Sequence, residues 1–217
     1  MTVELFHYVH CPFCLRVRFA LGLLNIPFKS TVLPYHDEET PKSLTGVKML
    51  PILRDGDLVM NESLDIIQYL DKKNVLLVKE TIQTTEFNNL TDELNRISSH
   101  LHSLAMPYWI YTAEFDPESR TYFQKKKETK RGPFRDLLKN QQKYLDEIGP
   151  LLSNLEKDLQ PFYHSSKMTL SDIIIASQLW GLYVVPEFQF SDKMNQYLQT
   201  VKQICHFEYH VDFRSIL

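Results

Sequence analysis

Glycine and cysteine are both scarce in this chain, and each scarcity excludes a class of protein. Only 6 of the 217 residues are glycine, and no glycine-rich phosphate-binding loop is present. Three cysteines in a chain of this length are too few for a disulfide-stabilised secreted scaffold. We therefore expect a protein of a reducing compartment, the cytoplasm, in which the cysteines serve chemistry or packing.

An excess of positive charge, a long apolar run and a basic N-terminal start are also missing. The 24 lysines and arginines are outnumbered by 27 acidic residues, so no basic excess favours nucleic acid binding. No apolar run approaches the ~20 residues of a membrane-spanning helix, and residues 1–4 do not begin like a signal peptide. We expect neither nucleic acid nor membrane as a partner, while 43% hydrophobic residues suffice for a packed core.

The most informative stretch, residues 10–16, contains a Cys-Pro-Phe-Cys motif between a predicted strand and a predicted helix. Residues 2–8 alternate and are rich in β-branched and aromatic side chains, which is typical of a strand. Residues 15–24 carry apolar side chains at helical spacing. Pro12 suits the first position of that helix, which puts Cys11 at the N-cap.

Cys11 is the predicted nucleophile of this motif. The free N–H groups and the positive end of the helix favour a thiolate over a thiol, which lowers the pKa of Cys11. Cys14 lies one turn further along the helix, and we predict that it is more buried and less acidic. From there it would attack the Cys11 sulfur as the resolving thiol, so that the pair cycles between dithiol and disulfide.

A structural zinc site and a pair of inert buried thiols are the alternatives for this motif. A zinc site needs about four ligands, usually with a second Cys-x-x-Cys, and the chain has only one further cysteine, Cys205, followed by His206. The proline between the two cysteines and the flanking strand and helix favour redox chemistry instead. We therefore expect no bound metal.

Residues 1–75 predict a mixed four-stranded sheet with the element order β-α-β-α-β-β-α. The first two strands should be parallel because a helix connects them, and Asp55-Gly56 favours a tight hairpin turn between the last two strands. The further elements predicted here are a strand over 28–33, a short helix over 40–46, strands over 47–54 and 57–60, and a helix over 63–74.

The strand patterns end there, and residues 86–217 predict an all-helical domain after a linker over 76–85. Helical periodicity favours helices over 86–107, 116–132, 134–159 and 191–205, and residues 169–172 form a capping signature before a buried helix. We expect Pro107 to end or kink the first of these helices, and Pro150 to kink or divide the third. The Lys125–Lys127 run is interpreted as a solvated helix face, and Cys205 as a small core residue.

Three motifs, Cys11-Pro12-Phe13-Cys14, Leu50-Pro51 and Glu62-Ser63, resemble in order and spacing the thioredoxin-fold domain of the glutathione transferase superfamily. The resemblance implies that the Leu50–Pro51 peptide is cis, that the Leu50 backbone pairs with the cysteinyl part of glutathione, and that Glu62 and Ser63 hold its γ-glutamyl end. The glutathione-binding residues implied in this way are Cys11, Phe13, Leu50, Pro51, Glu62 and Ser63.

Elementary chemistry agrees with the last of these motifs. Ser63 lies where a predicted helix begins, so its hydroxyl and the nearby N–H groups suit a carboxylate, and Glu62 can pair with an ammonium group. The alternative is that Ser63 is only an N-cap and Glu62 only a surface acid.

The helical half resembles the bacterial glutaredoxin 2 type, through Lys126–Glu128, Gly132 and Phe134–Leu138, as does the segment Asp37–Pro41 in the first half. The fold implied is a thioredoxin-like α/β domain followed by an all-α domain. The activity implied is glutathione-dependent reduction of glutathione mixed disulfides and protein disulfides by Cys11 and Cys14. Glutathione would be the cosubstrate, glutathionylated or disulfide-containing proteins the partners, and a monomer the functional form.

Two other functions remain open for this chain. One is a glutathione transferase that conjugates electrophiles, and the other is a non-catalytic binding module on the same fold. Cys14 has no role in conjugation, and an acidic Cys11 argues against a purely structural module.

Overall fold

A four-stranded sheet forms the centre of the N-terminal part in a computed structural model, which describes residues 2–186 and 188–208. The strands are β1 (Val3–His7), β2 (Phe28–Val32), β3 (Ile52–Asp55) and β4 (Leu58–Met60), and the helices between and after them are α1 (Pro12–Leu23), α2 (Glu39–Thr45) and α3 (Ser63–Leu70).

The sheet has the order β2-β1-β3-β4, with β1 parallel to β2 and antiparallel to β3. The predicted element order, the parallel pair and the hairpin between β3 and β4 are all confirmed. The predicted strand over 47–54 is shorter than expected and begins only at Ile52, because Pro51 has no N–H to donate to a neighbouring strand. Every residue of the central strand β1 is buried, and β1 leads directly into the Cys11 loop.

The rest of the described chain is helical. The helices are α4 (Val78–Thr81), α5 (Thr85–Trp109), α6 (Pro117–Arg131), α7 (Phe134–Lys139), α8 (Gln141–Lys157), α9 (Leu170–Leu179) and α10 (Asp192–Ile204), with a 3₁₀ turn over Trp180–Val184. The stretch predicted as a linker over 76–85 contains α4, and residues 209–217 of the predicted helical domain lie outside the described residues. None of the helices within 2–186 and 188–208 is long and apolar enough to cross a membrane.

Neither proline predicted to interrupt a helix in the helical part ends or divides one at its own position. Pro107 lies inside α5, which continues to Trp109. Pro150 lies inside α8, and the predicted long helix divides at Asn140 instead, so the prediction of a division at Pro150 was wrong. At the end of α7, the Asn140 side-chain amide donates to the Asp136 carbonyl at 2.8 Å, and the same carbonyl accepts the Asn140 backbone N–H at 3.1 Å.

We call the sheet with helices α1–α3 the sheet layer, and helices α4–α10 the helical layer. The two layers share one hydrophobic core. Helix α9 is buried along its whole length and packs against α1, and the predicted capping box of Thr169 and Asp172 starts it. Helix α1 also approaches the end of α10 closely, since a Cβ on Gly22 would lie 1.6 Å from the Cys205 carbonyl oxygen. Cys205 is buried there, as predicted.

Candidate active site

Cys11 and Cys14 stand at the start of α1, directly after the central strand. Cys11 occupies the N-cap with extended backbone angles and Pro12 is the first helical residue, as predicted. Both thiols are free, Cys11 is half-buried and Cys14 is fully buried. The backbone N–H of Tyr8 donates to the Cys14 sulfur at 3.4 Å. Cys11 is therefore the accessible member of the pair.

The two thiols differ strongly in acidity. The hydrogen bond from the Cys14 thiol lowers the pKa of Cys11 to about 6, helped against burial by the charge of His10 and by the backbone N–H groups of Phe13 and Cys14. Burial and the nearby Cys11 sulfur raise the pKa of Cys14 well above its ordinary value. The predicted differences in burial and acidity are thus confirmed, although Cys14 contributes more to the acidity of Cys11 than the helix end does.

A buried contact between a histidine and a carboxylate, which the sequence did not predict, lies behind Cys11. The Nδ1 atom of His10 lies 2.5 Å from Oε1 of Glu114, and the same oxygen accepts the His10 backbone N–H at 3.0 Å. Glu114 follows α5, and its carbonyl accepts the Tyr35 N–H at 2.9 Å. Burial raises the pKa of the Glu114 carboxyl, but the hydrogen bonds and charge of His10 outweigh burial, so the net shift is downward. Glu114 of the helical part therefore positions His10, whose charge lowers the pKa of Cys11.

Five of the six residues implied as glutathione contacts line one small cavity beside α3. Its volume is about 200 Å³, and its lining consists of Phe13, Met49, Leu50, Pro51, Glu62 and Ser63. The Leu50–Pro51 peptide is cis, as the resemblance implied. Cys11, the sixth residue, lines the adjoining cavity, and Phe13 and Leu50 line both.

Ser63 is not the N-cap of its helix, which removes one alternative. Glu62 occupies the cap position, with a φ of 69°, and makes no side-chain capping bond, while Ser63 is the first helical residue. Within the described residues, neither the Ser63 hydroxyl nor the Glu62 carboxylate has a hydrogen-bond or ion-pair partner. Both groups remain available to a ligand in the small cavity.

The adjoining cavity, about 410 Å³ in volume, lies between the sheet layer and helices α5 and α6. We call it the interdomain cavity. Cys11, Tyr8 and Leu50 line it on the side of the sheet layer. Its basic wall consists of Arg16, Lys127, Lys130 and Arg131. The interpretation of Lys125–Lys127 as a solvated face was wrong for Lys127, which is half-buried and lines the cavity, while Lys125 and Lys126 are exposed. Residues 2–186 and 188–208 contain no cluster of three side chains suited to hold a metal ion.

Two family models match this chain. The glutathione S-transferase N-terminal domain matches residues 5–75, and the glutaredoxin 2 C-terminal domain matches residues 89–209. Glutaredoxin 2 of Escherichia coli strain K12 is 32% identical over 203 residues, which span 90% of this chain and 92% of that protein.

The solved structures agree with the sequence relatives. Glutaredoxin 2 from Salmonella typhimurium, in complex with glutathione, is 29% identical, with a TM-score of 0.85 over 97% of this chain and 98% of that one. A glutathione transferase from Phanerochaete chrysosporium has a TM-score of 0.79 over 96% of this chain and 98% of its own, but at 14% identity it is similar in fold alone. The predicted thioredoxin-like α/β domain followed by a helical domain is confirmed. The chain therefore belongs to the glutaredoxin 2 family of glutathione-dependent oxidoreductases.

Proposed function

We propose that this chain is a dithiol glutaredoxin in which Cys11 is the nucleophile, Cys14 the resolving thiol and glutathione the cosubstrate. The observation that carries the proposal is the pairing of an accessible, acidic Cys11 with a buried, weakly acidic Cys14. A pKa of about 6 leaves roughly nine in ten Cys11 thiols ionised at pH 7. The thiolate is the form that attacks a disulfide.

Reduction of a glutathionylated protein needs only Cys11. Its thiolate attacks the glutathione sulfur, the bond between that sulfur and the protein substrate breaks, and the substrate leaves as a thiolate. Cys11 then carries glutathione in a mixed disulfide. A second glutathione thiolate attacks the bound glutathione sulfur, forms glutathione disulfide and releases the Cys11 thiolate. The low pKa of Cys11 also makes it a good leaving group in this last step.

Reduction of a protein disulfide needs Cys14 as well. Cys11 attacks one sulfur of the substrate and forms a mixed disulfide with it. Cys14 then loses its proton and attacks Cys11, which releases the reduced substrate and leaves a Cys11–Cys14 disulfide. Two glutathione molecules reduce that disulfide and are themselves oxidised to glutathione disulfide. Because Cys14 is buried, it is better placed to attack the Cys11 sulfur than to attack a substrate directly.

Glutathione is proposed to lie in the small cavity beside α3, with its sulfur at Cys11. The unpartnered Ser63 hydroxyl, at the start of α3, suits the γ-glutamyl carboxylate, and the Glu62 carboxylate suits the γ-glutamyl ammonium. The Leu50 backbone is assigned to the cysteinyl part, and the side chains of Phe13 and Pro51 to packing against it.

The rival function, conjugation of electrophiles, fits the interdomain cavity less well. A transferase of that kind needs an apolar pocket for its second substrate, whereas the basic wall supplies four cations beside Cys11. Cys14 also has no role in conjugation.

We further propose a monomer that works in the cytoplasm on glutathionylated or disulfide-containing proteins, with domains at residues 1–75 and 86–217 joined over 76–85. The free thiols support the cytoplasmic location, because a reducing compartment keeps cysteines as thiols and regenerates glutathione. Size-exclusion chromatography with light scattering tests the monomer.

Two assays run side by side test the function. In the first, the protein reduces the mixed disulfide of glutathione and 2-mercaptoethanol, with glutathione and a recycling reductase. In the second, it is offered glutathione and an aromatic halide. We expect protein-dependent reduction in the first assay and background rates in the second. Conjugation without disulfide reduction would favour the transferase, and glutathione binding without either reaction would favour a binding module.

A further inference from the structure

The loop over residues 46–51, which joins α2 to β3, carries a lysine that is largely buried. We call this segment the Leu50 loop. Lys48 lies two residues before Leu50, and its side chain is only 14% exposed. Its Nζ donates to the Tyr35 carbonyl at 2.9 Å and lies 3.8 Å from Oε1 of Glu38. Burial lowers the pKa of Lys48, so the cation is costly to hold there and depends on these contacts.

The contacts of Lys48 extend into the helical layer. Its Nζ stands over the ring of Tyr122 in α6, 4.1 Å from the ring centre. The Tyr122 hydroxyl donates to Oε1 of Glu38 at 2.5 Å, the same oxygen that faces Lys48. Hydrogen bonds from Lys42 and Tyr122 lower the pKa of Glu38 to about 2, so Glu38 is charged at neutral pH. We call Lys48, Glu38 and Tyr122 the interlayer latch.

The interlayer latch extends a row of contacts between the two layers. The Tyr35 N–H donates to the Glu114 carbonyl at 2.9 Å, and the His36 N–H donates to the Ser119 hydroxyl at 3.2 Å. These two bonds hold the segment after β2 against the start of α6. Lys48 adds the Leu50 loop to the same row, and so connects the helical layer to a loop that lines the small cavity beside α3.

The Leu50 loop needs such a connection because it has no helix or strand of its own. A loop that is ordered only when a ligand binds loses conformational entropy at that moment, and this loss weakens binding. A loop that is already fixed avoids the loss. Lys48 fixes the Leu50 loop from one side, two residues away from the backbone that is assigned to glutathione.

We propose that Lys48 is a positioning residue for glutathione, and that the interlayer latch holds the Leu50 backbone where it pairs with the cysteinyl part of the bound molecule. This inference rests on the proposed function and adds to it a role for the helical layer. Tyr122 lines neither the small cavity nor the interdomain cavity, so it acts on glutathione only through Lys48. Since no bond of the reaction involves Lys48, the latch affects binding and leaves the thiol chemistry unchanged.

The test breaks the latch from each end. Lys48→Met removes the ammonium group but keeps a long unbranched side chain, and Tyr122→Leu removes the ring. KM and kcat for glutathione are measured with the mixed disulfide of glutathione and 2-mercaptoethanol, together with the melting temperature. Lys126→Met is the matched control, because Lys126 is an exposed cation of α6 whose Nζ lies 5.4 Å from the centre of the same ring.

We expect Lys48→Met to raise KM for glutathione about tenfold with little change in kcat. Tyr122→Leu should raise KM as well. The double variant should be little worse than Lys48→Met alone, because both substitutions break the same contact. Lys48→Arg keeps a cation and its donors and should restore most of the affinity, while Lys126→Met should leave KM unchanged.

An unchanged KM in the folded Lys48→Met variant would overturn the proposal. If that variant does not fold, Tyr122→Leu tests the same contact, and an unchanged KM there has the same consequence. An equal rise in KM in Lys126→Met would show a general effect of surface charge, and the proposal would be wrong. A fall in kcat together with a shifted pKa of Cys11 would mean that Lys48 acts on the thiol, which also contradicts the proposal.

Failure of the proposed function looks different in the same assay. If the wild-type protein does not reduce the mixed disulfide with glutathione, the glutaredoxin mechanism itself fails. If Ser63→Ala and Glu62→Gln raise KM for glutathione but Lys48→Met does not, glutathione binds in the small cavity and only the role of the interlayer latch is rejected.

Discussion

The two layers of this protein contribute to one site in different ways. The sheet layer supplies the sulfurs proposed to react and the small cavity beside α3, both from short contiguous motifs. The helical layer supplies charge from residues distant in sequence: Glu114 pairs with His10 across 104 positions, and Lys127 and Arg131 face Cys11 over a cavity. The comparison indicates that the chemistry is local to the sheet layer, while its electrostatic environment depends on how the two layers pack.

His10 is the residue at which the two layers meet. Its ring lies among aromatic rings of both layers, and its ring Nδ1 and backbone N–H both contact the Glu114 carboxylate of the helical layer. Because the charge of His10 lowers the pKa of the adjacent Cys11, the helical layer influences a thiol that it does not carry. Changes to either layer should therefore affect the same reaction, but they should differ in the substrates they affect and in their dependence on pH.

The largest effect should come from Cys11→Ser. A hydroxyl is not ionised near neutral pH, and the buried, weakly acidic Cys14 cannot replace Cys11. We expect no reduction of glutathione mixed disulfides above background in the coupled assay, with an unchanged melting temperature as the control. Near wild-type turnover of the folded variant would reject Cys11 as nucleophile.

Substitution of Cys14 should separate the two activities. Cys14→Ser should keep activity on glutathionylated substrates and lose most of the activity on protein disulfides, because only the latter need a resolving thiol. Serine can still donate a hydrogen bond to the Cys11 thiolate, whereas Cys14→Ala cannot, so only alanine should raise the pKa of Cys11 markedly. If the serine variant keeps the stability of the wild type but loses both activities, Cys14 must do more than resolve the mixed disulfide.

Ser63→Ala and Glu62→Gln should weaken glutathione binding about tenfold to a hundredfold each, since a hydrogen bond to a charged group contributes on the order of 1.5–3 kcal/mol. Both proposed contacts lie away from the sulfur, so KM for glutathione should rise more than kcat falls. Asp65→Asn is a matched control, because Asp65 is an exposed acid of α3 outside the cavity. If the variants fold and their KM for glutathione is unchanged, Glu62 and Ser63 do not bind glutathione and only mark the start of α3.

Glu114→Gln should have the smallest effect and should depend on pH. The amide keeps the shape of the side chain but removes the carboxylate that holds the His10 ring beside Cys11, so the pKa of Cys11 should rise from about 6 towards its ordinary value of 9. Activity should fall severalfold at pH 7 and recover at pH 9, where Cys11 ionises without help. A loss that is equal at both pH values would indicate structural damage instead.

The sequence predicted most of the site in the sheet layer because local rules apply there. A proline after Cys11 starts a helix, and the spacing of two cysteines places both at its first turn. No local rule pairs Glu114 with His10 or turns Lys127 towards a cavity, because both depend on packing between layers. The division of the long helix was also missed, because Pro150 is a strong general signal while the break lies at Asn140, between α7 and α8.

The acidity of Cys11 is the claim on which the mechanism depends most directly. The rate of alkylation of Cys11 by iodoacetamide, measured from pH 4 to pH 10 with the modified residue identified by peptide mass spectrometry, reports its ionisation. Cys14 and Cys205 are buried and have raised pKa values, so they should react slowly over this range. We predict a midpoint near pH 6. A midpoint near pH 9, the ordinary value of a cysteine thiol, would contradict the account.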